Sequence, residues 1–509
     1  MSYTPWSIRT YVHGSNVQIV KWSRRQLDAG LTTAHHAGHR RTAEEQPMTT
    51  SNILASAREL AIRYVEDSRD LLQQINRAIW SYAEPSLQEY RSSALLADTL
   101  EQHGFRVERG VAGMPTAFVA SYGQGRPVIA ILAEYDALPS LSQKAQPVRE
   151  PVTPGAHGHG CGHSVFGTAC IIGALAARYA MEQAGMGGTL RVYGTPAEEL
   201  LVGKVYMVRA GLFEDVDAAI TWHPGDKTGV TLGSSKAMVS VRYTFHGRAS
   251  HASASPHRGR SALDAVELMN IGANYMREHI KEDARIHYVI TNGGMQPNVV
   301  PPEASVWYFV RANSHADVEA YLAWLDQIAQ GAALMTQTTL AERRIDTDCH
   351  EVLPNRVLAE VIDRNLRLVG PPQFTDEEKE FARQIQATFD TPAEEPPLRE
   401  DIEPLREESS GSRGSTDVGD VSWQVPTGQF RATTHANGCP GHSWQIVACT
   451  GTSIGEKGGA VAAKTLACTA LELLTDAEVL AAAKKEFEER RGNRPYTLLI
   501  PPDQPPPLP

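Results

Sequence analysis

Pro127-Val128-Ile129-Ala130-Ile131-Leu132-Ala133 runs straight into Glu134-Tyr135-Asp136-Ala137-Leu138-Pro139. An unbroken apolar run of this length is what a strand buried on both faces carries, and such strands belong to parallel sheets covered by helices. The acidic pair falls at the strand's carboxyl end, where open α/β sheets collect their ligands. Two later strands repeat the arrangement. Residues 189–194 lead to Thr195-Pro196-Ala197-Glu198-Glu199, and residues 217–222 lead to His223-Pro224. Helical patterning over 53–78, 84–104, 164–183 and near 203–210 alternates with these strands and with one at 116–121. The expected fold class is therefore α/β, a mostly parallel sheet flanked by helices.

Just before the apolar stretch 164–183 stands His157-Gly158-His159-Gly160-Cys161-Gly162-His163. Imidazole and thiolate are preferred ligands of zinc and its neighbours, and the alternating glycines let backbone close around an ion. Alone, such a tract is equally well a solvated His-rich loop. Glu198-Glu199 alone is more simply a helix cap. Four clusters at consecutive strand or helix ends favour a metal site on the sheet's carboxyl edge. A hydrolytic site needs a few N, S or O ligands and a carboxylate outside the ligand set to accept a proton from water. Successive residues of an extended segment point in opposite directions, so adjacent glutamates can divide these two tasks.

Residues 237–247, 285–292, 304–311 and 338–346 read as strands, with helices at 261–280 and 315–335 between them. The order β-α-β-β-α-β matches a ferredoxin-like α+β unit inserted into the first domain. Its Gly247-Arg248-Ala249-Ser250-His251-Ala252 loop offers His251 as a donor to a developing oxyanion, if the inserted unit acts as a lid. The chain then returns to the first domain with Gly414-Ser415-Thr416-Asp417-Val418-Gly419-Asp420 and with Gly441-His442. The latter precedes a last apolar helix at 457–474, which makes His442 a candidate ligand. Asp417 and Asp420 read either as turn formers or as residues orienting a ligand, with the turn preferred.

The expected boundaries are a disordered leader over 1–50 and catalytic segments at 51–235 and 347–490, separated by a lid at 236–346. A flexible Pro/Glu/Arg/Ser-rich insertion is expected near 391–413, and a Pro-rich tail over 491–509. A net charge of −11 leaves no basic face for nucleic acid. On this reading no apolar run approaches the ~20 residues that cross a bilayer, and six scattered cysteines are no disulfide framework, so the expected compartment is the cytoplasm.

Gly160-Cys161-Gly162-His163, Glu134 to Pro139, Glu198-Glu199, His223-Pro224, Ser250-His251-Ala252 and Gly441-His442 stand in the order found in one metallohydrolase family. It holds the aminoacylases, hippurate hydrolases, glutamate-releasing carboxypeptidases and auxin-conjugate amidohydrolases, and over residues 50–490 the chain resembles it. The resemblance implies a zinc-peptidase-like catalytic domain whose inserted lid dimerises. It implies that Cys161, His163, Glu199, His223 and His442 bind one or two Zn or Mn ions, with Glu198 as general base. His251 matches the lid histidine that completes the other subunit's active site in dimeric relatives. Asn298 and Arg311 match lid positions that hold a substrate carbonyl or carboxylate. His157 and His159 are left either as residues that orient a ligand or as loop residues. Glu134-Tyr135-Asp136 replaces the wider family's His-x-Asp, and Cys161 replaces a bridging Asp. Both departures fit the branch of auxin-conjugate and aminobenzoyl-glutamate hydrolases. The implied reaction is hydrolysis of an amide joining an acyl or aryl group to an amino acid. The implied assembly is a homodimer through the lid or a pairing with a related second subunit. The rival reading is an accessory, non-catalytic subunit of a heteromeric amidohydrolase.

Overall fold

The computed structural model describes residues 6–13, 16–23, 50–392, 394–406 and 414–509. The chain divides into two units, Met1–Met48 and Thr49–Pro509. In the first, β1 (Trp6–His13) and β2 (Asn16–Ser23) pair antiparallel, where the sequence suggested only a leader. Alternation of Trp6, Ile8 and Val12 with polar residues gives β1 a strand's period of two. The rest of the expected leader lies outside the described residues.

In the second unit the strands are β3 (Arg106–Arg109), β4 (Phe118–Gln124), β5 (Val128–Ala133), β6 (Gly188–Gly194), β7 (Ala218–Gly225), β8 (Gly229–Thr231), β9 (Ala237–His246), β10 (Arg285–Asn292), β11 (Glu303–Ala312), β12 (Thr339–Cys349) and β13 (Thr427–Thr433). The helices are α1 (Thr50–Asp67), α2 (Arg69–Tyr82), α3 (Tyr90–Gln102), α4 (His163–Ala184), α5 (Gly203–Arg209), α6 (Ala262–Met276), α7 (His315–Thr336), α8 (Arg356–Val369), α9 (Asp376–Gln386), α10 (Val418–Ser422), α11 (Trp444–Thr450), α12 (Ser453–Thr475) and α13 (Ala477–Arg491).

The larger sheet has the order β3-β4-β6-β5-β7-β13-β8. Its centre, β6-β5-β7-β13, is parallel, and antiparallel strands lie at both edges. Every side chain of β5 is buried, as the opening run required. Ile129, Ile131 and Ala133 face the helical layer of α1, α4 and α12, while Val128, Ala130 and Leu132 face the opposite core. α4 and α12 approach closely because both are small-residue helices; a Cβ on Gly173 would stand 2.8 Å from the Ala463 carbonyl oxygen. α4 is 22 residues long and apolar enough by composition to cross a membrane, contrary to the reading above, but 89% of its most apolar stretch is buried in this core.

The smaller sheet has the order β10-β11-β9-β12, all antiparallel, with α6 and α7 against it. In chain order this is 2-3-1-4, the ferredoxin-like arrangement expected of the lid. Ser261 and Ser314 cap α6 and α7 by accepting from Asp264 N and Asp317 N.

Four local expectations differ. The helix read over 53–78 breaks between α1 and α2 at Ser68, and the one read from 84 starts at Tyr90, beyond Pro85. The Pro-rich tail is docked rather than trailing. Its carbonyls accept from Arg209, Leu499 N donates to Asp348 at 2.5 Å, and Ile500 is buried. Proline-rich backbone leaves its carbonyls free, and here side chains of the folded unit use them. The described part of the 391–413 insertion is also packed. Leu398 is fully buried, and Ile402 bridges to Thr228.

Candidate metal centre and active-site cleft

Every strand end singled out in the sequence arrives at one cleft. Cys161 and His163 sit at the start of α4, where Gly162 takes φ +82° and a Cβ would stand 2.8 Å from the Pro224 ring. Glu198 and Glu199 open a single 3-10 turn after β6, bracketed by Ala197 (φ 56°) and Leu201 (φ 57°). His223 lies on β7, and His442, itself at φ 51°, precedes α11. Left-handed backbone at non-glycine residues costs of order 1 kcal/mol or more each and concentrates at functional sites.

The donor atoms converge. Cys161 Sγ is 3.4 Å from His223 Nε2, and His442 Nε2 is 3.4 Å from a Glu199 oxygen. His163 Nε2 lies 3.4 Å from Glu134 and 3.9 Å from Glu198. Two tautomers are set by outer partners. His163 Nδ1 meets Asp136 at 2.9 Å, and His223 Nδ1 donates to the Pro224 carbonyl at 2.7 Å, so both Nε2 atoms are the ones turned toward the other donors. Asp136 is held in turn by Ser86 Oγ and by the Glu199 amide. Cys161, His163 and His223 form one set with mutually close donor atoms; Cys161, Glu199 and His442 form another, and Glu134, His163 and Glu198 a third.

The site fits a divalent cation on its own chemistry. His163 Nε2, Glu134 Oε2 and Glu199 Oε1 are buried and have no hydrogen-bond partner. Without a cation, burial pushes the Cys161 thiol up to about 12, and the Glu199 charge adds to this. Burial raises Glu199 to about 7 and Glu198 well above its usual range, the latter reinforced by Glu134 and Glu199. Burial lowers His223 to about 3, which keeps its imidazole neutral. Acids forced to hold protons beside the neutral His223 imidazole are what a cation would relieve.

Sequence reasoning missed the group beneath the candidate ligands. Lys204 on α5 is fully buried, with its ammonium 2.8 Å from Glu134 and 2.6 Å from Asp417. Asp417 also accepts the Lys204 amide, so it is an ion-pair partner and not the turn former preferred from the sequence. The overlooked signal was one lysine in an apolar segment directly after the glutamate pair. Glu89 was missed too. Buried, it accepts from Ala197 N and Thr116 and so braces the turn that carries Glu198.

Glu134, Cys161, Glu198, Glu199, His223 and His442 line a cavity of about 500 Å³. The lid contributes Arg311 and Phe309 from β11 and Met238 from β9. Arg311 lies 3.5 Å from Ser415 Oγ, and its Nε is buried without a partner. His251, on the β9–α6 loop, and Asn298, on the β10–β11 loop, stand together on the exposed lid surface, where Ala252 N donates to the Asn298 carbonyl; neither lines this cavity. His159 is buried, bonded to the Ile79 carbonyl, and outside the ligand set.

A family model described as a peptidase dimerisation domain matches residues 234–334, which take in β9, α6, β10, β11 and most of α7 of the lid. A p-aminobenzoyl-glutamate hydrolase subunit of Escherichia coli is 44% identical over 464 residues, covering 86% of this chain and 96% of that protein. The Xaa-Arg dipeptidase of Mus musculus is 29% identical, covering 87% of this chain and 96% of its own length. A solved Bacillus subtilis structure, described as a dinuclear metal-binding peptidase from the M20 family, matches in fold. Its TM-score is 0.53 at 20% identity, over 80% of this chain and 99% of that one.

Proposed function

Because this chain belongs to the M20 family of hydrolases, we propose that it cleaves the amide bond between an acyl or aryl group and an amino acid, with p-aminobenzoyl-glutamate-like and N-acyl-amino-acid compounds as substrates. One observation carries this reading: five side chains of metal-ligating type and a separate glutamate meet at a cleft that also holds an arginine from the lid. Cys161, His163, Glu199, His223 and His442 would hold one or two Zn or Mn ions. A bound cation supplies Lewis acidity that polarises the amide carbonyl and acidifies water. Glu198 takes the water's proton and returns it to the departing amine, acting from the ionised form that a bound cation would favour. Asp136 fixes the His163 ring, and Lys204 anchors Glu134 beside it. Arg311 offers its guanidinium to the substrate's carboxylate. His251 and Asn298 act on the cleft of a second copy of the chain, which fits their place on two exposed, adjoining lid loops.

The purified chain, loaded with Mn or Zn, is assayed alone against a panel of N-acyl and N-aroyl amino acids, with and without chelator. Chelator-sensitive hydrolysis is expected. Glu198→Gln should keep its metal and lose about 10²- to 10⁴-fold in kcat. Full activity in that variant removes Glu198 from the role. Activity only after adding a related chain favours the accessory-subunit reading, which draws support from a relative that is itself named as one subunit of a hydrolase.

A further inference from the structure

We propose that Arg431 forms a second carboxylate site in the cleft, so that the preferred substrates are amides of an acidic amino acid. This rests on the amide-hydrolase reading above and narrows it to a substrate class.

Along β13 every residue is buried except Gln429 and Arg431, which line the cavity. Arg431 is the Cα partner of His223 in the parallel β7–β13 ladder. Registered residues on neighbouring strands, about 4.8 Å apart, project to the same side, so the guanidinium rises beside a proposed metal ligand. Its stem crosses Gly225, where the glycine leaves room; a Cβ there would already stand 3.4 Å from the Arg431 Cβ. Arg431 also lines a contiguous hollow of about 330 Å³ with Lys227, Thr231, Ser234 and Arg406.

Among the described residues the Arg431 guanidinium has no ion pair and no hydrogen bond. Two nearby carboxylates are already engaged, Glu403 with Arg406 at 3.1 Å and Asp226 with Gly438 N at 3.2 Å. A guanidinium on an otherwise buried strand, left without a carboxylate, has its bidentate fork free for a ligand. Arg311 faces the same cavity from the lid. Guanidinium groups on two walls match a leaving amino acid with two carboxylates, the α-carboxylate at Arg311 and the side-chain carboxylate at Arg431.

The test compares kcat/KM for N-benzoyl-glutamate and N-benzoyl-glutamine, using the metal-loaded full chain and Arg431→Met. The wild type should favour the glutamate compound, and the variant should lose that preference by about ten- to a hundredfold, the loss expected for a charge-assisted hydrogen bond. No preference in the wild type, or an equal fall on both compounds in the variant, overturns the proposal. Calorimetric binding of free glutamate and free glutamine to the same two proteins gives a readout without turnover. An Arg431-dependent preference for glutamate with neither amide hydrolysed keeps the carboxylate site and sinks the amidohydrolase reading. Hydrolysis of both amides with no such preference does the reverse.

Discussion

Replacing Lys204 by methionine tests whether the charge beneath the ligands organises the site. The Lys204 ammonium is wholly enclosed, 2.8 Å from Glu134 and 2.6 Å from Asp417. At an effective dielectric of about 20, each such pair attracts by roughly 6 kcal/mol. Desolvation of three charges offsets most of this, and removing one partner of a buried ion pair leaves a net loss of about 3–5 kcal/mol. The unfolding entropy of a unit of about 460 residues is roughly 1 kcal/mol/K, so Tm should fall by about 3–5 °C. The assay is thermal unfolding followed by circular dichroism in chelator, so that metal affinity does not enter. Burial already raises both carboxyls, and without Lys204 they rise further. The folded variant then holds protons that its unfolded form releases, so its deficit widens as pH goes up and narrows toward acid. A triple variant, Glu134→Gln, Lys204→Met and Asp417→Asn, should recover most of the loss because no unpaired charge remains. A shift below about 1 °C in the single variant, or no recovery in the triple, refutes the reasoning.

Cys161→Ser should lower the metal content measured by elemental analysis, and unchanged stoichiometry would remove Cys161 from the ligand set. Metal affinity should rise with pH through about 7, because Glu199 holds a proton below that value that binding must displace; pH-independent titrations contradict this. Burial, followed by the Asp136 charge, raises Glu89 to about 8 from its ordinary 4.5. Its contribution to stability is therefore full below 4.5 and lost as pH rises through about 8, and Glu89→Gln should flatten that decline in Tm between about pH 5 and 9. Mixing His251→Ala with Glu198→Gln protein should restore part of the activity that each has lost, if the lid histidine serves the partner's cleft. No complementation after subunit exchange, checked by native mass spectrometry, argues for action within one chain.

Much of the fold was legible because burial writes itself into strand composition. The apolar run of β5 announced a sheet covered on both faces, and Glu134, Glu198 and His223 fell at its carboxyl edge as that topology requires. The lid was readable from element order alone, since β-α-β-β-α-β has few compact solutions. The break at Ser68 and the docked tail were not. α1 and α2 share one helical period across the break, and a proline-rich run has the same composition whether or not something accepts its carbonyls.

By itself, the sequence determined which chemical groups the cleft could hold, because imidazoles, a thiol and paired glutamates at strand ends are local facts. Tertiary structure decided their relations. It put His442 against Glu199 across more than two hundred residues, turned the His163 and His223 rings through Asp136 and the Pro224 carbonyl, and sealed Lys204 between Glu134 and Asp417. It also stood Arg431 beside His223. The strength of an ionic interaction depends on distance and on exclusion of water, and only the folded chain sets either.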